Sequence, residues 1–533
     1  MDGFDKEETL IQEDEPPKQS FIETLKSEFR IDTSTISYKA FYFLFFAGFG
    51  ASFPYMPLYF RQLGLNASLV GLLAGIRPLV QFASAPFWSV LSDKFRARKA
   101  VLLFSILSWL VMTLALLIPR PKNTVCIKGG TVVPTSGGIT MNDDIPESET
   151  EFYQKYHTLT HLPAEKMKFV LKSQTAGSVV HKKVRRSNST NGTENVHKKK
   201  AGFHLVRDQH EINLVFIWLM VLIVVGEFLE APTFILTDTA LLQKLQEKKK
   251  HYGKTRLFGS LGYAVASFIV GALLELTRYT YCGQSMNDYN YLFYIFAGVM
   301  ALTFIFGAVL FKFNYEDEDN GVKMDECAVW RVLLEPKYAL YMLIAWFLGF
   351  SNGLIFNFLN WYLEDLGATK LLMGSATSMR ATGLIIAFFL NSFITDWFGH
   401  VCVSLLSIFS YLVLFISLAT MRNPMWAFPF ELLEGLTYGT SWATCVTYMA
   451  EATPMSGAAT MQGILQGVYW GLGGGLGAIL GGVFIDEYGA VPSFFFGALM
   501  SLVLLILFSF AHFCVSRNSR QSKGWEPIEL KTS

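Results

Sequence analysis

A chain of 533 residues that is 52% hydrophobic and only 16% charged, with 47 phenylalanines and a mean hydropathy of +0.34, is too apolar for an ordinary soluble enzyme. A formal net charge of +1 gives no reason to expect nucleic acid as a partner. The six cysteines form no C-x-x-C pair and the nine histidines no H-E-x-x-H, so no metal, redox or other cofactor site is expected.

About twenty apolar residues cross the hydrocarbon core as a helix. Segments that qualify lie near 38–60, 68–91, 100–118, 212–236, 257–277, 290–312, 338–361, 370–394, 400–420, 425–448, 460–485 and 491–514. The expectation is an all-α polytopic membrane protein with twelve transmembrane helices. The first follows the polar tail MDGFDKEETLIQEDEPPK, which has no basic n-region or small-residue cleavage site, so it is expected to stay as a signal anchor. The division expected is a tail at 1–37, a first half at 38–312 with a long loop at 119–211, a linker at 313–337, a second half at 338–514 and a tail at 515–533.

Short loops set orientation. DKFRARK, between the second and third segments, and QKLQEKKKHYGKTR, between the fourth and fifth, are basic and are expected to be cytoplasmic, together with both termini. The N-x-[ST] sequons give a second criterion: Asn66, Asn188 and Asn191 all fall in loops of the opposite side and are candidate glycosylation sites. Loop 119–211 is itself basic, but long loops translocate largely regardless of charge. It is rich in Ser, Thr and Lys and is expected to be mostly disordered. Cys126 in this loop and Cys282 in the loop after the fifth segment share the oxidising side, and a disulfide between them is a candidate.

The chain also repeats itself. At a constant offset of 303, Gly50, Phe53, Tyr59, Leu63, Gly64, Gly71, Arg77, Asp93 and Phe95 fall on Gly353, Phe356, Tyr362, Leu366, Gly367, Gly374, Arg380, Asp396 and Phe398. Farther on, Tyr263, Gly271 and Ala272 match Tyr469, Gly477 and Ala478 at an offset of 206. The first half therefore carries about 97 extra residues, the size of loop 119–211. Two six-helix pseudo-repeats with one inserted loop place a substrate site at their interface near the membrane midplane.

Ser89-Val-Leu-Ser-Asp93-Lys94-Phe-Arg-Ala-Arg98-Lys99 resembles the cytoplasmic loop motif G-x-x-x-D-[RK]-x-G-R-[RK] of the major facilitator superfamily. Ser89 replaces the first glycine; the second copy, Ser392-x-x-x-Asp396-Trp-Phe-Gly399-His400, keeps a glycine and loses most basic residues. GIRPL, SAPFW and HYGKTRLFGSLGY (251–263) resemble the lactose-permease-like branch, and the family of major facilitator superfamily domain-containing protein 6 resembles this chain most, over the helices but not the tails or loop 119–211. The resemblance implies the major facilitator fold and transport by alternating access, often with protons. It also implies a gate role for Asp93, Arg98, Lys99 and Asp396, with Asp238 and Arg256 as a further latch.

Charged residues inside spans are costly and face a partner or a cavity. Here they are Arg77, Glu227, Glu230, Asp238, Arg380, Glu431 and Glu434. Glu227 and Glu230 share a helix face and Asp238 lies about 20° from it, making a carboxylate stripe. The expected pairs are Arg77 with Glu227 or Glu230, and Arg380 with Glu434; Glu431 lies toward the outer interface, where water can solvate it. Such pairs serve proton coupling, because moving the arginine changes carboxylate protonation. A static ion pair locking two helices requires the same residues. Asn352, Asn357 and Asn360, then Gln462, Gln466 and Tyr469, and Ser260, Tyr263 and Ser267 form polar stripes that either line a cavity or bond helices together. Pro54 and Pro57 fall opposite Asn357 and Asn360 in the repeat, so a kink is expected there. Overlapping glycine ridges, 467/471/475 and 473/477/481, allow close helix approach.

The function expected is secondary active transport of a small polar or organic solute, proton-coupled and driven by no ATPase motif. The rival is a cell-surface receptor or accessory scaffold that binds an extracellular protein through loop 119–211. An enzyme finds no nucleophile–base or metal constellation. The tail TLIQEDE resembles an acidic dileucine signal, leaving plasma membrane and endolysosome both open.

Overall fold

The computed structural model of the chain describes residues 36–122, 124–128, 131–133, 203–245, 252–282, 284–311, 331–453 and 458–523. α1 (Ile36–Ser52) passes through a 3-10 turn, Phe53–Tyr55, into α2 (Met56–Leu63). Pro54 and Pro57 supply no backbone N–H there, so an unbroken α-helix cannot form. Then follow α3 (Ala67–Lys94), α4 (Arg98–Ala115), α5 (Gln209–Glu230), α6 (Pro232–Leu245), α7 (Tyr252–Leu276) and α8 (Asn290–Leu310). The second series is α9 (Pro336–Asp365), α10 (Lys370–Thr420), α11 (Ala427–Ala452), α12 (Ala458–Gln466), a π-helical segment Gly467–Gly474, α13 (Gly475–Tyr488) and α14 (Ala490–Lys523). α10 is two helices joined across Gly399, whose φ of 74° breaks the helical path.

Among the described residues, eleven helices are long and apolar enough to cross a membrane. The segment expected as the tenth span is the 26-residue α11, which is not among them. Its sequence AFPFELLEGLTYGTSWATCVTYMAEA carries Glu431, Glu434 and a run of Thr, Gly and Tyr that lower its apolarity. Both glutamates are buried.

The two series pack alike. α1 lies against α7, and a side chain on Gly50 would collide with the Tyr263 backbone; α9 lies against the π segment, where Gly349 meets the Tyr469 backbone. Across the halves, α3 packs on α13 and α7 on the first part of α10, through Gly71 against Ala478 and Gly271 against Gly374. Small residues permit such approach where no hydrophobic force drives helices together. The two glycine ridges divide between partners. Gly467, Gly471 and Gly475 face Phe82 and Gly75 of α3, whereas Gly473, Gly477 and Gly481 face Trp346, Phe350 and Leu354 of α9.

At one end of the bundle the chain forms strands. β1 (Thr124–Lys128), β2 (Thr131–Val133) and β3 (Phe203–Arg207) make an antiparallel sheet in the order β2-β1-β3, with Cys126 opposite Leu205. β4 (Arg278–Tyr281) and β5 (Gln284–Asn287) form a hairpin. A disulfide joins Cys126 to Cys282 and so bolts the sheet to the hairpin. The two ends of loop 119–211 are thus ordered strands, and residues 134–202 between them lie outside the described residues. β-branched TVCIK and TVV are the local reason.

Candidate functional site

In the first half, α3 places Arg77 against α5. Its Nε pairs closely with Glu227 Oε1, and its Nη2 lies 4.0 Å from Glu230 Oε1. The guanidinium stacks over Phe53, 4.2 Å from the ring centroid, at the 3-10 turn. Both glutamates are buried. Glu227 and Glu230 stand one helical turn apart and present to the same face.

The second half builds the same object. Arg380 Nε lies 2.7 Å from Glu431 Oε2 and 3.6 Å from Glu434 Oε2, and Arg380 Nη2 donates to Glu431 Oε1 at 3.2 Å. Phe356 covers the guanidinium at 5.2 Å. Asn352 Nδ2 donates to Glu434 Oε1 at 3.2 Å. Glu431 and Glu434 are both 0% exposed. Solvation of Glu431 at an outer interface does not occur, and Glu431 is the nearer partner of Arg380 than Glu434. Burial without a partner would be prohibitive for any of these charges, and the pairing answers that.

The signal for Glu431 lies in the sequence. Glu227-Phe-Leu-Glu230 and Glu431-Leu-Leu-Glu434 repeat at an offset of 204, within two residues of the 206 that aligns Tyr263 with Tyr469. Each half therefore holds one arginine, one phenylalanine 24 residues before it and an E-x-L-E turn on a neighbouring helix.

The remaining site residues separate. Asn360 Nδ2 donates to Pro54 O at 2.9 Å across the halves, at the expected kink, while Asn357 Nδ2 donates to Gly353 O of its own helix at 2.7 Å. Tyr263 sits within electrostatic reach of Arg380, Glu431 and Glu434, although it belongs to the other half. Tyr469 is buried near Glu434, whereas Gln466 is exposed. Asp238 does not join the carboxylate stripe. Beyond the break at Ala231 and Pro232, it takes a hydrogen bond from Tyr42 and lies 3.4 Å from Arg256.

At the end of the bundle opposite the strands, Arg98 is buried and Lys99 half-buried at the start of α4. The backbone of Asp93 is helical, and its side chain lies outside the described residues. Asp396 is exposed; the ion pair described near it is His400 Nε2 with Glu451 Oε2 at 3.3 Å. Asn66 caps α3, its Oδ1 accepting from Leu69 N at 3.0 Å, and its Nδ2 donates to Asp486 at 2.8 Å. Asn188 and Asn191 lie outside the described residues. Among the described residues, no cluster of three or more His, Cys, Asp or Glu could hold a metal ion.

Polar bridges between the halves gather toward the strand-bearing end. Arg61 lies 3.0 Å from Glu364 and 2.5 Å from Asp365, with its guanidinium 4.5 Å over Trp361. Ser68 Oγ donates to Asp486 at 2.7 Å, and Lys370 N to Glu275 at 2.8 Å. Arg61 and Glu364 are repeat mates at the offset of 303, so one position carries opposite charges in the two halves.

The two halves repeat the same helix pairs and the same arginine–glutamate cluster. A family model described as "MFS_1 like family" matches residues 35–496. The chain belongs to that family. Major facilitator superfamily domain-containing protein 6-like of Danio rerio is 24% identical over 434 residues, covering 78% of this chain and 76% of its own length. Protein 6-like A of Xenopus laevis is 22% identical over 479 residues, covering 75% and 78%. The solved structure of the nucleoside transporter NupG superposes with a TM-score of 0.61 at 13% identity, over 90% of this chain and 99% of that one. A D-xylose-proton symporter does so with a TM-score of 0.54 at 11% identity, over 92% and 97%. This MFS_1-like protein is thus a multi-pass membrane protein with a transporter fold, and family and fold are not those of enzymes.

Proposed function

We propose that the protein is a secondary transporter that moves a small polar or organic solute by alternating access, coupled to protons. The observation that carries this reading is the duplicated Arg–Phe–Glu-x-x-Glu cluster. Each cluster holds two carboxylic acids to one guanidinium, so it can take up a proton and leave the arginine a counter-charge. Any motion that changes the arginine-to-carboxylate distance changes how tightly that proton is held. The fold neighbours that carry a nucleoside, or D-xylose with a proton, support solute carriage in general without naming the solute.

The bridges at the strand-bearing end belong to one of the two states of such a cycle. That end faces the outside or an oxidising lumen in this reading, because it carries the disulfide, and the termini are cytoplasmic, in a plasma or endolysosomal membrane. The test is release of a metabolite pool from vesicles containing the purified protein, with and without an imposed proton gradient. Flux that depends on protein and gradient supports the reading; folded protein that moves nothing overturns it.

The clasp of β1, β2 and β3, stapled by Cys126–Cys282, favours a second reading in which loop 119–211 presents itself to an extracellular protein. Deleting 134–202 separates the two: a transporter keeps its flux, and a receptor loses its partner.

A further inference from the structure

A cavity of about 290 Å³ lies where the strand clasp meets the first half. Its walls come from α2, the chain just after α4, β3, β4, β5 and the start of α8, and neither arginine–glutamate cluster contributes a lining residue. Hydrogen bonds and the disulfide hold these walls together. Gln62 of α2 binds β5 through its whole amide, Nε2 donating to Asn287 O at 2.9 Å and Oε1 accepting from Asn287 N at 3.2 Å. Arg207, at the end of β3, donates from Nη2 to Gln62 O at 2.7 Å. β3 pairs with β1, which carries Cys126, and Cys282 directly follows Tyr281, so the disulfide fixes the wall bearing Arg207 against the wall bearing Tyr281.

The charges favour an anion. Two guanidiniums, Arg120 and Arg207, line the cavity against a single carboxylate, Asp288. Arg120 donates to Leu117 O at 3.1 Å and to Asn290 Oδ1 at 2.7 Å, both uncharged acceptors. The one hydrogen bond of Arg207 among the described residues is that to the Gln62 carbonyl, and the group in electrostatic reach of it is the Tyr281 phenol. Among the described residues neither arginine forms an ion pair. Asp288 turns Oδ1 to Asn290 N at 3.0 Å, at the start of α8. Of the buried polar atoms without a partner, the one that belongs to a lining residue is Arg207 Nε, a donor. Buried polar groups are normally satisfied, and a half-buried cation without a counter-charge is costly. A cationic ligand would add to that cost and a neutral one would leave it, whereas an anion removes it.

The walls favour an organic anion. Tyr279 and Tyr281 stand two apart on β4 and so share a face, and Met286 of β5 lies opposite Tyr279 in the hairpin; all three line the cavity. Tyr279 is 46% exposed and Arg120 is exposed, which gives the cavity an open mouth. A guanidinium takes a carboxylate through two parallel N–H bonds, and the tyrosine rings and the methionine cover an apolar body that inorganic phosphate lacks. The volume suits a ligand at the small end of the usual range.

We propose that the cavity under the strand clasp is an accessory binding site for a small organic carboxylate, with Arg207 and Arg120 as its counter-charges. The proposal does not depend on transport, and its test measures binding. The full chain, purified in detergent with its disulfide intact, is dialysed to equilibrium against radiolabelled benzoate. Saturable binding is expected, displaced by unlabelled phenylacetate and not by benzyl alcohol, benzylamine or inorganic phosphate at the same concentration. Arg207→Gln is expected to weaken it at least tenfold and Arg120→Gln several-fold; the second variant, at an exposed position, stands in if the first does not fold. In the unsubstituted chain, benzoate is expected to slow modification of Arg120 by phenylglyoxal and not that of Arg422, exposed just beyond α10, as read by peptide mass spectrometry. No saturable binding, equal displacement by the alcohol, the amine or phosphate, unchanged binding in both variants, or no protection of Arg120 overturns the proposal.

Discussion

Glu431 and Arg380 meet at 2.7 Å in a site where neither carboxylate oxygen reaches water. The contact joins α11 to α10 and has a counterpart 204 and 303 residues earlier, where Glu227 pairs with Arg77 between α5 and α3. Charge pairs of this kind contribute little net stability when intact, since desolvation offsets their attraction, yet breaking one strands a charge.

Arg380→Met is therefore expected to destabilise the folded protein by about 3–5 kcal/mol, because it leaves two buried carboxylates uncompensated. Adding Glu431→Gln removes one stranded charge and should recover part of the loss. Melting temperatures of the single and double variants in detergent check this. A double variant no more stable than the single would mean that Glu431 is not the charge that Arg380 compensates.

How much of this was legible beforehand follows from what each signal depends on. Arg77 and Arg380 stand out because an arginine inside an apolar span is rare, and their common offset with Asp93 and Asp396 gives the repeat away. Glu431 departs from the expectation of solvent contact because its burial comes from the neighbouring α10, which a position near a span end does not show. The E-x-L-E repeat carried the correct answer and was masked by the two-residue change in offset. Asp238 pairs with Arg256 as the latch reading expects, and it leaves the carboxylate stripe because the helix breaks before Pro232. The strands at the ends of loop 119–211 do not show against its polar composition, since the β1–β3 pairing joins residues 75 to 83 apart and has no local period. The glycine ridges were legible as surfaces for close packing, but which ridge faces α3 and which α9 depends on the π segment, which no periodicity shows.

The disulfide should hold the strand clasp and not the helical bundle. Cys282→Ser is expected to expose loop 119–211 to protease at its base, with local loss of about 2–5 kcal/mol, while the melting of the helices shifts little. Mass spectrometry of timed digests locates the cuts. Cuts confined to 134–202 in both proteins would show that the bond does not secure the clasp.

The bridges from Arg61, Ser68 and Lys370 should open during the cycle. Those of Arg61 and Ser68 are partly exposed and contribute no more than about 1 kcal/mol each, weak enough to exchange with water. Cysteines at Ser68 and Asp486, joined by a short bifunctional thiol reagent, are expected to stop flux reversibly. Unimpaired flux after quantitative cross-linking would mean that this end does not move.

The close approach of α9 to the π segment leaves no room for a side chain on Gly349, whose Cβ would run into the Tyr469 backbone. Gly349→Ala is expected to cost about 1–3 kcal/mol through the forced backbone shift. Gly367→Ala at a turn with a φ of 81° but open surroundings strains only its own backbone, so it should cost less. Parallel melting curves compare them.

The most direct test of the central claim is gradient-driven accumulation of a metabolite pool in proteoliposomes, measured for the wild-type chain and for Arg77→Ala, Glu230→Gln and Glu431→Gln in parallel. The duplicated clusters predict accumulation by the wild type and its loss in all three variants at equal amounts of folded protein. Accumulation retained in all three would contradict the account.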